Sequence, residues 1–142
     1  MLNPLAPPSV QGVNSNTPPG YVDIAFNYVF NFSLTSQVIL LDQPVSILTE
    51  ADFLWRGLVF NSTGAFNVRF QDGQQFYLSS ALVNSQNLLA TAGDPFPIFP
   101  EVFYPAAGRI TIDIQDNSGA SGGSPNAGQL LFIGVSRFRL GA

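Results

Sequence analysis

The groups in this chain able to do acid–base or metal chemistry are nine carboxylates and five arginines, with no histidine, no cysteine and no lysine beside them. Without histidine the commonest general base, the commonest transition-metal ligand and the usual pH switch are all missing, and a Ser-His-Asp triad cannot be built. Without cysteine there is no thiol nucleophile, thiolate site or disulfide. Paired carboxylates are what remains, and the candidates are Asp94 with Glu101 and Asp113 with Asp116. A glycosidase needs two such groups roughly 5–10 Å apart across a sugar cleft, and no cleft-forming motif accompanies either pair. Asp113, Asp116 and Asn117 could offer oxygens to calcium, but that ion takes about six to eight ligands and no loop motif is present. The Gly/Ser-rich stretch 118–128 lacks the lysine and following helix of a phosphate loop and reads as a flexible connection. The expectation is a protein with no catalytic residues, no cofactor and no metal.

The charges that are present set further limits. Only 10% of residues are charged, against ~25% in an average soluble domain, and the net charge is −4. Arg56, Arg69, Arg109, Arg137 and Arg139 cannot form the basic stripe that tracks phosphates, so no nucleic-acid partner is expected. They read instead as salt-bridge partners at strand ends. Polarity comes from Asn, Gln, Ser and Thr, while 13 phenylalanines supply apolar surface. Such a composition suits a surface largely covered by neighbours. Apolar runs are broken well before the ~18 residues of a membrane-spanning helix, so no membrane segment is expected. The opening M-L-N-P-L-A-P-P-S-V has no basic region ahead of an apolar one, so no secretory signal is expected, and the sequons at Asn31 and Asn61 read as chance.

These residues must be carried by some framework, and the framework reads as strands. Residues 1–20 hold five prolines and few large side chains, which predicts an extended arm. From Ile24 to Leu34 apolar and polar residues alternate, with Ile24, Phe26, Tyr28, Phe30, Phe32 and Leu34 on one face of a half-buried strand. Val38–Leu41 and Val45–Leu48 read as two short strands about a turn at Asp42-Gln43-Pro44. Phe53–Phe60 reads as a strand in which Gly57 marks a bulge or a close backbone approach. With the alternating Ala65–Gln71 across Asn61-Ser62-Thr63-Gly64 it predicts a β-hairpin. Asp72-Gly73 marks a turn before Phe76-Tyr77-Leu78, and residues 79–92 fit either a short helix or two short strands. Residues 109–116 alternate again, with Ile110, Ile112 and Ile114 sharing a face, and Leu130–Leu140 closes the chain as a long strand.

About eight strands with turns every 8–12 residues and no clear helix predict an all-β, antiparallel β-sandwich. A jelly roll is expected, with the long first and last strands adjacent and central. One domain, residues 21–142, would follow the arm.

One stretch does not fit a plain sandwich. Residues 93–108, G-D-P-F-P-I-F-P-E-V-F-Y-P-A-A-G, hold four prolines, which excludes a helix or a central strand and predicts irregular chain. Yet the stretch is rich in large apolar side chains, so it must cover the core or face a partner. Phe96, Ile98, Phe99, Phe103 and Tyr104, with Pro4, Pro7 and Pro8 of the arm, are the candidate interface residues.

The C-terminal third, F-P-I-F-P-E-V-F-Y-P-A-A-G-R-I-T-I-D-I-Q-D-N-S-G followed by Q-L-L-F-I-G-V-S-R-F, resembles small structural proteins of tailed bacteriophages. In particular it resembles the jelly-roll cement, or decoration, proteins of phage heads. The resemblance covers about residues 93–140 and implies a non-enzymatic protein of the virion, on the capsid surface, that binds and stabilises major capsid subunits, often as a dimer or trimer. It implies no catalytic residue. A collar or tail component is the neighbouring alternative. From a different class, a glycan-binding or host-adhesion module would need an exposed aromatic platform, built from Trp55 or Tyr77 with Tyr104.

Overall fold

The structure, a computed structural model, describes residues 17–141 apart from 37, 89, 92 and 122. Pro4, Pro7 and Pro8 therefore lie outside the described residues. Eight strands follow in order: β1 Tyr21–Leu34, β2 Ile39–Ser46, β3 Ala51–Ser62, β4 Phe66–Gln71, β5 Val83–Asn84, β6 Phe96–Tyr104, β7 Arg109–Asp116 and β8 Asn126–Arg139. They form two antiparallel four-stranded sheets, here sheet A in the order β1-β8-β3-β6 and sheet B in the order β2-β7-β4-β5. Every connection but β4 to β5 passes from one sheet to the other, and that arrangement of the eight strands is a jelly roll.

The crossings overturn the expected hairpin. β3 and β4 lie in different sheets, because the turn after Ser62 carries the chain over the edge of the sandwich and buries Phe66 between the layers. Gly64 N–H and Thr63 Oγ1 both meet Asn126 Oδ1, so the corner is fastened to the start of β8 as well as to Ser62 of β3, whose Oγ donates to the Gly64 carbonyl. The first and last strands do pair, over the whole of Tyr21–Leu34, but β8 is central and β1 is an edge.

The expected turn at Asp42–Pro44 is a bulge within one strand. The β2–β7 register slips between Leu40 and Gln43, Asp42 takes a positive φ of 56°, and its N–H donates to Asp113 Oδ1 at 2.9 Å. The bulge foreseen at Gly57 is present. Trp55 pairs with Gly134 and Gly57 with Ile133, which leaves Arg56 without an opposite residue. This extra residue reverses the parity of β3, so that Phe53 and Trp55 before it and Leu58 after it all point inward. It also turns the Gly57 carbonyl toward the buried indole, whose Nε1 donates to it at 2.7 Å.

Between the sheets lies an aromatic core. Trp55 meets Phe70 and Phe132 edge-on at 5.0 and 5.2 Å, Tyr28 meets Phe53 at 4.7 Å, and Phe32 meets Phe66 at 5.0 Å. Ile110, Ile112 and Ile114 are fully buried from sheet B, as their alternation predicts. Gly134 on β8 lies where the packing is tightest. A Cβ there would run into the Leu54 carbonyl oxygen and come 2.9 Å from Phe53 Cζ.

Residues 79–92 take neither expected form in full. They give the two-residue β5 and a single 3-10 turn, Ser85–Asn87, capped by the Asn84 side chain accepting from Gln86 N–H at 2.8 Å. Phe76-Tyr77-Leu78 is no strand; Tyr77 makes one bridge to Gln71.

Candidate functional site

The proline-rich stretch expected to be irregular is β6, the outermost strand of sheet A. Proline is tolerated there because an edge strand leaves half its N–H groups without ladder partners. β6 pairs with β3 in two pieces, Tyr104, Phe103 and Val102 against Phe53, Leu54 and Trp55, then Pro97 and Phe96 against Gly57 and Leu58. Residues Ile98–Glu101 fall between the pieces with only Arg56 opposite, so they bulge away from the sheet. Arg56 Nε donates to Glu101 Oε1 at 2.7 Å and holds the base of the bulge. Both partners are over a third exposed, so this pair contributes at most about 1 kcal/mol and serves to fix geometry.

The bulge sorts the candidate interface residues by position. Phe96 and Ile98 are half-buried and pack on the core. Phe99 stands at the tip, 93% exposed, and Phe103 is 50% exposed on the outer side of the sheet. Tyr104 is a correction: it is fully buried, its ring among Trp55 and Phe53, and its hydroxyl donates to the Gln71 carbonyl at 2.6 Å. Burial also pushes the phenol well above its ordinary pKa, so it is a neutral tie between the sheets and faces no partner.

Beside β6 runs an apolar groove of about 990 Å³, walled on one side by Phe96–Phe103 and on the other by Asp72–Gln74 and Leu78. The second wall is built by Asp72, whose Oδ1 accepts from the N–H groups of Gln74 and Phe76, each at 2.9 Å, and whose N–H donates to the Phe76 carbonyl. Gly73 lets this turn sit against β6, since a Cβ there would come 2.6 Å from the Phe103 carbonyl oxygen. The turn leaves Phe76 and Leu78 exposed near the groove. Sequence reasoning missed both, because F-Y-L after a turn also reads as a strand.

A second missed feature adjoins the first. On the outer face of sheet A, register places Val29, Leu131 and Val59 in one row and Ala25, Val135, Leu54 and Phe103 in another, with Ile133 between them. The signal was in the sequence: L-L-F-I-G-V in β8 does not alternate, so both of its faces are apolar.

The carboxylate pairs do not converge. Glu101 is bonded to Arg56, and Asp94 sits in a tight turn with Thr91. Asp113 and Asp116 lie three residues apart on β7 and face opposite ways. Asp113 accepts from Arg69 Nη2 at 3.0 Å and from the Asp42 N–H. Asp116 accepts from Ser118, Gly119, Ala120 and Asn126. Burial raises its pKa, but the hydrogen bonds from Ser118, Asn126 and Gly119 outweigh this and hold it well below the usual carboxylate range. Both groups spend their oxygens on the chain's own donors, and among the described residues no three acidic side chains gather as a metal site.

The aromatic platform required for glycan binding is also not assembled. Trp55 is 1% exposed and Tyr104 is buried, which leaves Tyr77 alone, its ring under the Arg69 guanidinium at 3.6 Å. Among the described residues no helix is long and apolar enough to cross a membrane. Compared with models of protein families, with curated proteins and with solved structures, the chain matches none.

Proposed function

We propose that this chain is a non-enzymatic structural protein that binds another protein through the β6 edge, with Phe99 as its anchor. The observation that carries this reading is Phe99 itself: a 93%-exposed phenylalanine at the tip of a bulge, beside a groove of about 990 Å³. Isolated exposed apolar residues are ordinary, but Phe103 and Leu78, which line the same groove, make this one part of a patch. Aromatic residues seated in a partner's pocket dominate binding energy, and a groove next to the anchor offers the partner a seat in return.

The resemblance of residues 93–140 to phage cement proteins supplies the partner's class, the major capsid subunits of a tailed phage head. The jelly roll is compatible with that reading. The test is made on heads purified from a phage that carries this gene. The chain should co-purify with them in fixed ratio to the major capsid protein. Heads made without it, or with Phe99→Asp, should release DNA at a lower temperature. A chain that fractionates with tails, or with no particle, would sink the capsid assignment.

A further inference from the structure

Each sheet of an open sandwich has two edges, and an edge strand with free N–H and C=O groups invites pairing with another chain. Three of the four edges here are guarded. β6 carries Pro97 and Pro100 and the Ile98–Glu101 bulge, β2 carries Pro44 and its own bulge, and β5 is two residues long. β1 is different. It is 14 residues long, holds no proline and no lysine, and pairs with β8 in unbroken register from Tyr21 to Leu34. Its one charge, Asp23, lies at the far end and is bonded to Arg137 and Thr17. Among the described residues no strand pairs with its other side.

We infer that β1 is a dimerisation edge, where the β1 strands of two copies pair antiparallel and join the two A sheets into one of eight strands. Two observations favour a second copy as the occupant. The first is burial along the edge. Ile24 is 49% exposed although its alternation points it toward the core, and Phe26 and Phe30 are only partly covered. An identical strand alongside places the same three side chains of each copy against one another. The second is area. A strand of 14 residues spans ~48 Å, and with ~10 Å of side-chain height the pair buries about 1,000 Å² in total, which reaches the floor for a specific interface. A two-fold axis uses the same edge on both copies, so the contact closes at a dimer. The proposal stands apart from the β6 reading, since it uses the opposite edge of the sheet.

The experiment uses the full chain, with mass measured by light scattering after size exclusion over a roughly hundredfold concentration range. The wild type should approach twice its 15.2 kDa as concentration rises. The double variant Asn27→Lys/Asn31→Lys changes exposed positions on the outer face and brings lysines close together in any central antiparallel register. It should stay at 15.2 kDa with an unchanged circular dichroism spectrum and a melting temperature close to that of the wild type at its lowest, monomeric concentration. Because the chain has no cysteine, Val29→Cys should form a covalent dimer on mild oxidation, and Pro44→Cys on the guarded β2 edge should not. A wild type that is monomeric throughout overturns the proposal. So does a dimer that survives the two lysines and is lost in Phe99→Asp.

Discussion

The two outer faces of this sandwich are built on opposite plans. Over β4 and β7, sheet B turns polar residues outward and then covers them: Thr111, Asp113 and Gln71 are buried although they point away from the core, while Ile39 and Leu41 stay exposed on the β2 edge. The cover is local, made by the Asp42 bulge, whose N–H reaches Asp113, and by Tyr77, which lies over Arg69. Sheet A does the reverse. Its outer face carries Val29, Val59, Leu131, Ile133 and Val135, and these are exposed or half-exposed, Leu54 alone of its apolar rows being buried. Buried polar groups are stable only when paired, so sheet B's face is completed from within the chain. Apolar rows on an open face are completed only by something outside it. The contrast therefore assigns structural duty to the polar face and contact duty to the apolar one, whose two edges, β1 and β6, are the surfaces proposed above.

The severest test of this division lies within β8, where the two faces meet in one strand. Gly134 points inward into a space with no room, and Val135 points outward. Gly134→Ala sets a methyl against the Leu54 carbonyl and Phe53, and should cost more than about 3 kcal/mol or prevent folding. Val135→Ala should cost less than half as much. Urea titration of the two variants separates them, and equal losses would show that the outer face is as tightly packed as the inner.

Next in size is the polar cover of sheet B. Asp113→Ala leaves Arg69 and the Asp42 N–H without their acceptor. Arg69 already has its Nε buried with no hydrogen-bond partner among the described residues. Breaking a pair whose acid is fully buried costs about 3 kcal/mol, at the lower end of the usual range because Arg69 keeps some contact with water. A loss below about 1 kcal/mol by urea titration would mean that the face is not closed by this pair.

How far these faces could be read beforehand follows from what each depends on. The inward rows of β1 and β7 obey period two, so Tyr28, Phe32 and the three isoleucines were legible residue by residue. The crossings between sheets were not, because a turn such as Asn61–Gly64 looks the same whether it closes a hairpin or rounds a corner. What decides is the distant Asn126 side chain, 62 residues on from Gly64. At the site, prolines flagged residues 93–108 and the aromatics among them, but they also hid the strand that sorts those aromatics. Read as a strand, the stretch alternates straight through the Ile98–Glu101 bulge, with Phe96, Ile98, Val102 and Tyr104 toward the core and Phe99 and Phe103 outside.

Acid sharpens the comparison further. With no histidine, no side chain of ordinary pKa titrates between about pH 5 and 8, and stability should be flat there. Asp23 is held below its ordinary pKa, chiefly by its hydrogen bond from Arg137, and Asp116 by the donors around it despite burial. Groups whose folded pKa is depressed stabilise the fold above the unfolded value of about 4, and the stabilisation is lost as pH falls below it. Melting temperature should therefore drop only below about pH 4. Asp116→Asn should lower stability at neutral pH and flatten that acid limb. A limb as steep as the wild type's would remove Asp116 from its cause.

The smallest effects on stability are expected where contact is proposed. Phe99 is almost wholly in solvent, so Phe99→Ala should change the unfolding free energy by less than about 0.5 kcal/mol. Leu131→Ser, on the outer row beside Val29 and Val59, should cost at most about 1 kcal/mol, because its side chain is only half-covered to begin with. If the open face is a contact surface, both variants should also bind less of a dye that reports exposed apolar surface, while melting close to the wild type. A Leu131→Ser variant that loses several kcal/mol would mean that the row is already packed within the single chain, and the two faces of the sandwich would then differ in composition but not in role.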